Sequence, residues 1–196
     1  MALKYLPRNY LRISTIEPGA DKKLSRKLDL VSLGIAAVMI GAGRLFVPFS
    51  AFFYVRAVTR GDVMRVGALI PALLAYMLLY TLVRGLILRR IGGMKPGFGI
   101  SRLAPYVSSG AYLDKKEFSI AALLPTAVFA IIYFILDLAL PVRWFWFIYI
   151  LQIINITGAV WDVYTVKKSR EYGDDLLICD SGTCTEFFTK AELVEK

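Results

Sequence analysis

Val66-Gly-Ala-Leu-Ile-Pro-Ala-Leu-Leu-Ala-Tyr-Met-Leu-Leu-Tyr-Thr-Leu-Val83 is an apolar stretch without a charged side chain. Phe118–Leu136 and Trp144–Trp161 repeat the pattern at similar length. A helix needs about 17–25 apolar residues to cross a hydrocarbon core roughly 30 Å thick, and each of these runs is long enough. A fourth run, Leu30–Gly43, is prolonged past Arg44 to Val55. Working outward from these runs, the chain reads as an α-helical integral membrane protein of about four transmembrane helices, spans 30–55, 66–88, 118–140 and 144–166. A soluble helical core could hide one such helix, but four would use most of the 196 residues.

Composition agrees with that reading. Hydrophobic residues make up 57% of the chain, against about 45–50% in soluble domains, and mean hydropathy is +0.58. No apolar stretch of signal-peptide type begins near Met1, so the first span is expected to direct insertion and stay in place. Pro48 follows soon after Arg44. That arginine is expected to snorkel to the outer interface, with Leu45–Val55 continuing outward or lying in the interface.

The net charge of +9 is distributed unevenly. The N-terminal segment, the second loop counted from Arg84 and the tail hold most of the lysines and arginines, while the third loop has only Arg143. Basic residues stay cytoplasmic. Four spans then put both termini and the second loop on the cytoplasmic side of a bacterial inner membrane. The domains follow: residues 1–29 a cytoplasmic N-terminal segment, 30–166 a membrane domain, 167–196 a cytoplasmic tail. Attraction to anionic inner-leaflet lipid accounts for the charge, and nucleic acid is not an expected partner.

Two polar stretches carry strand signals. Gly92–Ser101 is rich in turn formers, and Tyr106-Val107-Ser108-Ser109-Gly110-Ala111-Tyr112 places β-formers around a glycine. This predicts a short β-hairpin or extended strand at the cytoplasmic membrane edge, a candidate peptide-binding strand. In the tail, Asp180-Ser-Gly182 between two apolar stretches predicts a small hairpin. Cys179 and Cys184 are expected as free thiols in a reducing compartment.

Polar side chains within a span are costly and are functional candidates by default. They are Arg84, Asp137, Gln152, Asn155 and Asp162. Counting from the span centres puts Arg84 and Asp162 each about 10 Å inward of the membrane middle, at matching depth on the cytoplasmic side. Tyr80 shares a helical face with Arg84. The plainer readings are that Arg84 belongs to the inner basic belt with Arg89 and Arg90, and that Asn155 bridges two helices.

Several motifs in order carry a resemblance: Leu6-Pro-Arg-Asn-Tyr10, Asp21-Lys-Lys23, Gly85, Lys95-Pro-Gly-Phe-Gly99, Leu124-Pro125 and Asn155-Ile-Thr-Gly-Ala-Val-Trp-Asp162. In these the chain resembles a bacterial family of zincin-type peptidases, distantly similar to site-2 intramembrane proteases. The resemblance implies a His-Glu-x-x-His motif on a membrane helix just before the glycine, two histidines binding zinc and the glutamate acting as base. Here that slot reads Tyr80-Thr81-Leu82-Val83-Arg84, and the chain contains no histidine. Asp162 matches the position that supplies a third ligand in such sites. One carboxylate does not hold zinc, and a protonated guanidinium has no lone pair to give. The expectation is therefore no catalytic residue, no cofactor and no zinc. The chain reads as a pseudoprotease that binds or regulates a membrane protein or peptide. The alternatives are a structural subunit, a small transporter or lipid-binding protein lined by Gln152, Asn155 and Asp162, or a divergent active peptidase. An Arg84–Asp162 ion pair with Tyr80 donating to the same carboxylate is the expected replacement for the metal.

Overall fold

The structure is a computed structural model that describes residues 2–51, 60–101 and 104–191. Four of its helical segments are long and apolar enough to cross a membrane: Lys22–Phe46, Val66–Gly92, Lys115–Ala139 and Val142–Ser169. They contain 25 to 28 residues, about 37–42 Å at 1.5 Å per residue.

Strand β1 (Tyr10–Ile16) precedes helix α1 (Lys22–Phe46). Helix α1 starts well before the apolar run because Asp21 caps it: one carboxylate oxygen accepts from the Lys23 and Leu24 amides at 2.8 and 3.1 Å. Capping of this kind is worth about 1 kcal/mol. The helix stops at Phe46, short of the expected Val55. Val47 turns to extended backbone and Pro48 follows, so the next turn cannot form. The Arg44 guanidinium lies 5.7 Å from the centre of the Phe49 ring. The remainder of the first expected span, 52–55, lies outside the described residues.

Helix α2 (Arg60–Gly92) leads into β2 (Gly97–Ser101), β3 (Ala104–Ser108) and β4 (Tyr112–Leu113). Helix α3 (Lys115–Ala139) begins with a reciprocal capping box between Asp114 and Glu117, which places its start just before the apolar run. The last span divides into α4 (Phe145–Gly158) and α5 (Val160–Ser169). The break falls at Ala159, whose amide donates to the Ile156 carbonyl three residues back at 3.3 Å, and next to it the Thr157 hydroxyl donates back to the Ile153 carbonyl at 2.8 Å. Strands β5 (Leu177–Asp180) and β6 (Thr185–Lys190) close the chain as the expected tail hairpin.

The strands form two sheets. One has the order β1-β6-β5-β4, with each neighbouring pair antiparallel; the other is the β2–β3 hairpin. Three segments far apart in sequence thus meet in one sheet: the N-terminal stretch, the second loop and the tail. The expected single strand over Tyr106–Tyr112 is split. Tyr106, Val107 and Ser108 pair with β2, while Tyr112 pairs with Cys179 of β5. Ser109, Gly110 and Ala111 turn the chain between the two sheets, with Ser109 and Ala111 buried. The turn-former stretch also contributes more than a turn, since Gly97–Ser101 is itself β2. β1 has no counterpart among the sequence expectations.

Two cores follow. One joins the sheets to the helix ends through Leu88, Leu113, Phe118, Ile178 and Phe187. The other lies between the helices around Tyr76, Phe129, Tyr133 and Leu151. The helices turn large apolar side chains outward, among them Leu33, Val38, Leu86 and Leu138, each over 60% exposed. Such rows suggest a lipid bilayer as their surroundings.

Candidate functional site

Tyr80, Thr81 and Arg84 stand on α2, and Asp162 on the first turn of α5, where the helix N-terminus favours a carboxylate. The two helices bring them together. Arg84 Nη1 donates to Asp162 Oδ1 at 3.2 Å and to Oδ2 at 3.5 Å. Tyr80 donates to Asp162 Oδ2 at 3.5 Å, a long bond, and lies 3.1 Å from the Thr126 hydroxyl of α3. Thr126 can donate to Tyr80 while Tyr80 donates to Asp162, so one proton chain satisfies all three oxygens.

The shortest bond goes to a residue that the sequence did not single out. Arg84 Nη2 donates to Asp180 Oδ2 at 2.8 Å, and the Asp180 side chain is only 7% exposed. Asp180 ends β5, and its other oxygen accepts the Gly182 amide at 2.8 Å. The Asp-Ser-Gly stretch carried a turn signal only; nothing in its spacing from Arg84, 96 residues away, announced an ion pair. Arg84 therefore does not merely join the basic belt. One guanidinium links two carboxylates and pins the tail hairpin to the helices. Its Nε is buried without a partner among the described residues.

Glycines set the close approaches around this pair. A methyl group on Gly85 would lie 2.7 Å from the tip of the Phe98 ring, so the bare backbone lets α2 and β2 approach closely and a side chain there would push the ring aside. Gly182 has φ +82°, and a methyl group there would lie 2.7 Å from the Val107 carbonyl oxygen. Thr81 is buried and donates to the Met77 carbonyl at 2.8 Å. The hydroxyl is thereby occupied within its own helix.

The other polar candidates on the apolar helices do not join this cluster through their side chains. Asn155 is 1% exposed; it accepts from Tyr76 at 3.1 Å and donates to the Thr126 carbonyl at 3.0 Å. It thereby ties α4 to α2 and α3, the helix-bridging arrangement. Gln152 Oε1 and Asp137 Oδ1 are buried without a hydrogen-bond partner among the described residues. Gln152 and Asp137 thus take no part in the Arg84 cluster.

Cys179 and Cys184 are free thiols. In the hairpin Cys179 stands opposite Glu186, two places from the Ser181–Cys184 closure. Burial, then the negative charge of Glu186 and Asp180, pushes the Cys179 thiol up to about 11.

Zinc catalysis needs imidazole or carboxylate donors and a base. The slot offers a phenol, a hydroxyl committed to its helix, and a cation already bound to both nearby carboxylates. Among the described residues no group of three or more histidine, cysteine, aspartate or glutamate side chains is placed to hold a metal ion. The donor set does not fit zinc.

No curated protein and no solved structure matches the chain. Residues 73–176 match the family described as "Putative zincin peptidase". That stretch runs from the middle of α2 to the approach to β5, and takes in the Tyr80–Arg84 slot, the β2–β3 hairpin and Asp162. By this match over more than half its length, the chain belongs to the zincin peptidase family so described.

Proposed function

We propose that this chain is a membrane-embedded member of its family in which the Arg84 guanidinium stands where the metal would sit. It works by binding a membrane protein or peptide rather than by zinc hydrolysis. The observation that carries the reading is the double ion pair of Arg84 with Asp162 and Asp180. A bound cation already neutralises the carboxylate that a metal would use. Bidentate and charge-assisted contacts of this kind are also the strong ones.

In the same reading the four apolar helices cross a bacterial inner membrane, with residues 1–29 and 167–196 on the cytoplasmic side. Two observations support that topology. Basic residues concentrate on the N-terminal segment, second loop and tail. Strands from those three segments share one sheet, which supports placing them on one side, in keeping with an even number of crossings.

The capture surface is β2. It pairs with β3 alone among the described residues, leaving its outer edge open, and it carries Phe98 and Ile100, 56% and 80% exposed. An extended peptide adds to such an edge through main-chain hydrogen bonds. A photo-crosslinking residue at Ile100 should capture a protein in native membranes. One at Ile135, on the outward face of α3, should not. Equal capture at both positions, or metal-dependent cleavage of a membrane peptide by the purified protein, would overturn the proposal.

A further inference from the structure

Helix α1 is fastened to α4 at two points, one in each half of the helix. Tyr149 donates to the Met39 carbonyl at 2.8 Å, and Ser32 donates to the Thr157 carbonyl at 3.3 Å. Toward its N-terminal end α1 leaves an apolar slot of about 410 Å³ against α3 and the α4–α5 junction. The walls include Val31, Ile35, Ala127, Ala130, Ala159 and Val163. Small side chains keep the slot open, and its volume lies in the range of about 300–1,000 Å³ usual for ligand pockets.

A second cavity of about 250 Å³ lies between the same two helices, lined by Leu24, Lys27 and Leu28 of α1 and by Tyr164, Lys167 and Lys168 of α5, with Glu171 beyond. Val31 to Lys27 and Val163 to Lys167 are each one helical turn, about 6 Å along the axis. The α1 chain runs toward its N-terminus and α5 toward its C-terminus over these steps, so both lead the same way. The basic cavity therefore lies about one helical turn beyond the apolar slot, on the same side. Lys168 is already engaged: it pairs with Glu171 at 2.6 Å and lies 5.9 Å from the Tyr172 ring centre. Lys27 and Lys167 are exposed and form no ion pair among the described residues.

We propose that this composite groove is a binding site for one anionic phospholipid, with an acyl chain in the slot and the phosphate between Lys27 and Lys167. A greasy channel alone would accept any lipid or a partner helix. The two unpaired lysines at its mouth select an anionic headgroup, as basic pockets between helices at the cytoplasmic interface do. The site is separate from the Arg84 cluster and does not depend on its role.

Native mass spectrometry of the purified chain in micelles containing equal phosphatidylglycerol and phosphatidylcholine tests the site. One phosphatidylglycerol should remain bound per chain. Lys27→Gln with Lys167→Gln should lower the preference for that lipid roughly 30-fold, at about fivefold for each basic residue near anionic lipid. Lys95→Gln with Lys116→Gln, which removes the same charge elsewhere, should leave the preference intact. Ala127→Phe, which fills the slot, should lower retention of both lipids. Equal retention of the two lipids by the unaltered chain, or the same preference in both double variants, would overturn the proposal. So would a photo-crosslinker at Ala130 that captures a protein helix instead of lipid.

Discussion

Replacing Arg84 by leucine is the sharpest perturbation of the site. The change leaves two carboxylates facing each other across an emptied position, their side chains 20% and 7% exposed. Removing one partner of a buried pair costs about 3–5 kcal/mol, because the other charge is stranded. Against a total stability of about 5–15 kcal/mol, such a loss is large. Asp162→Asn and Asp180→Asn should each cost less, about 1.5–3 kcal/mol, since Arg84 keeps its second carboxylate and loses one charged partner. Asp180→Asn should be the costlier of the two, because its bond to Arg84 is 2.8 Å against 3.2 Å. An Arg84–Asp162 pair alone would make the Arg84→Leu/Asp162→Asn double variant recover most of the loss. With Asp180 present it cannot: that carboxylate stays stranded, and recovery needs the triple variant with Asp180→Asn. Equilibrium unfolding in mixed micelles, followed by tryptophan fluorescence, measures each difference. An Arg84→Leu loss under about 1 kcal/mol, far below the cost of stranding a buried charge, would refute the ion-pair account. So would a triple variant as unstable as the sum of its parts.

Three further outcomes follow from the same geometry. Gly182→Ala should cost at least about 1–2 kcal/mol from its left-handed backbone alone, more than Gly85→Ala, whose methyl group meets only the Phe98 ring and, less closely, Val107; equal thermal shifts would contradict the turn packing. The Cys179 thiol, pushed up to about 11, should alkylate slowly at pH 8 and about tenfold faster per pH unit up to about 11. Because its folded value is raised, the stability it contributes is complete below the unfolded value near 9 and is lost as pH rises through about 11; full alkylation within minutes at neutral pH would refute its burial. Reporter fusions after residue 196 and at residue 142 should report opposite sides of the membrane, and matching signals would overturn the four-span topology.

The helices were legible because charge-free runs long enough to cross a bilayer have few other uses. Their ends were less so. Asp21 and Asp114 extend α1 and α3 beyond the apolar runs, since a polar first turn needs only a cap and solvent, and hydropathy is blind to both. The matching depth of Arg84 and Asp162 came from counting along helices, and the structure places them within bonding distance. Asp180 was out of reach of that method: a strand pairing, not a helical period, carries it to Arg84. The same reason hid β1, whose Tyr10 pairs with Lys190 of β6, almost at the other end of the chain. Pairing across such distances leaves no local pattern. The division of Tyr106–Tyr112 between two sheets depends likewise on where β5 docks.

The central claim is that a guanidinium has taken the place of the metal. Elemental analysis of the purified chain beside a Tyr80→His/Thr81→Glu/Arg84→His variant tests it most directly. The account predicts far less than one zinc per unaltered chain, with a melting temperature unmoved by chelators. It predicts zinc uptake by the variant, since the side chains at positions 80 and 84 already reach Asp162. Stoichiometric zinc in the unaltered chain, surviving dialysis against a chelator, would contradict it.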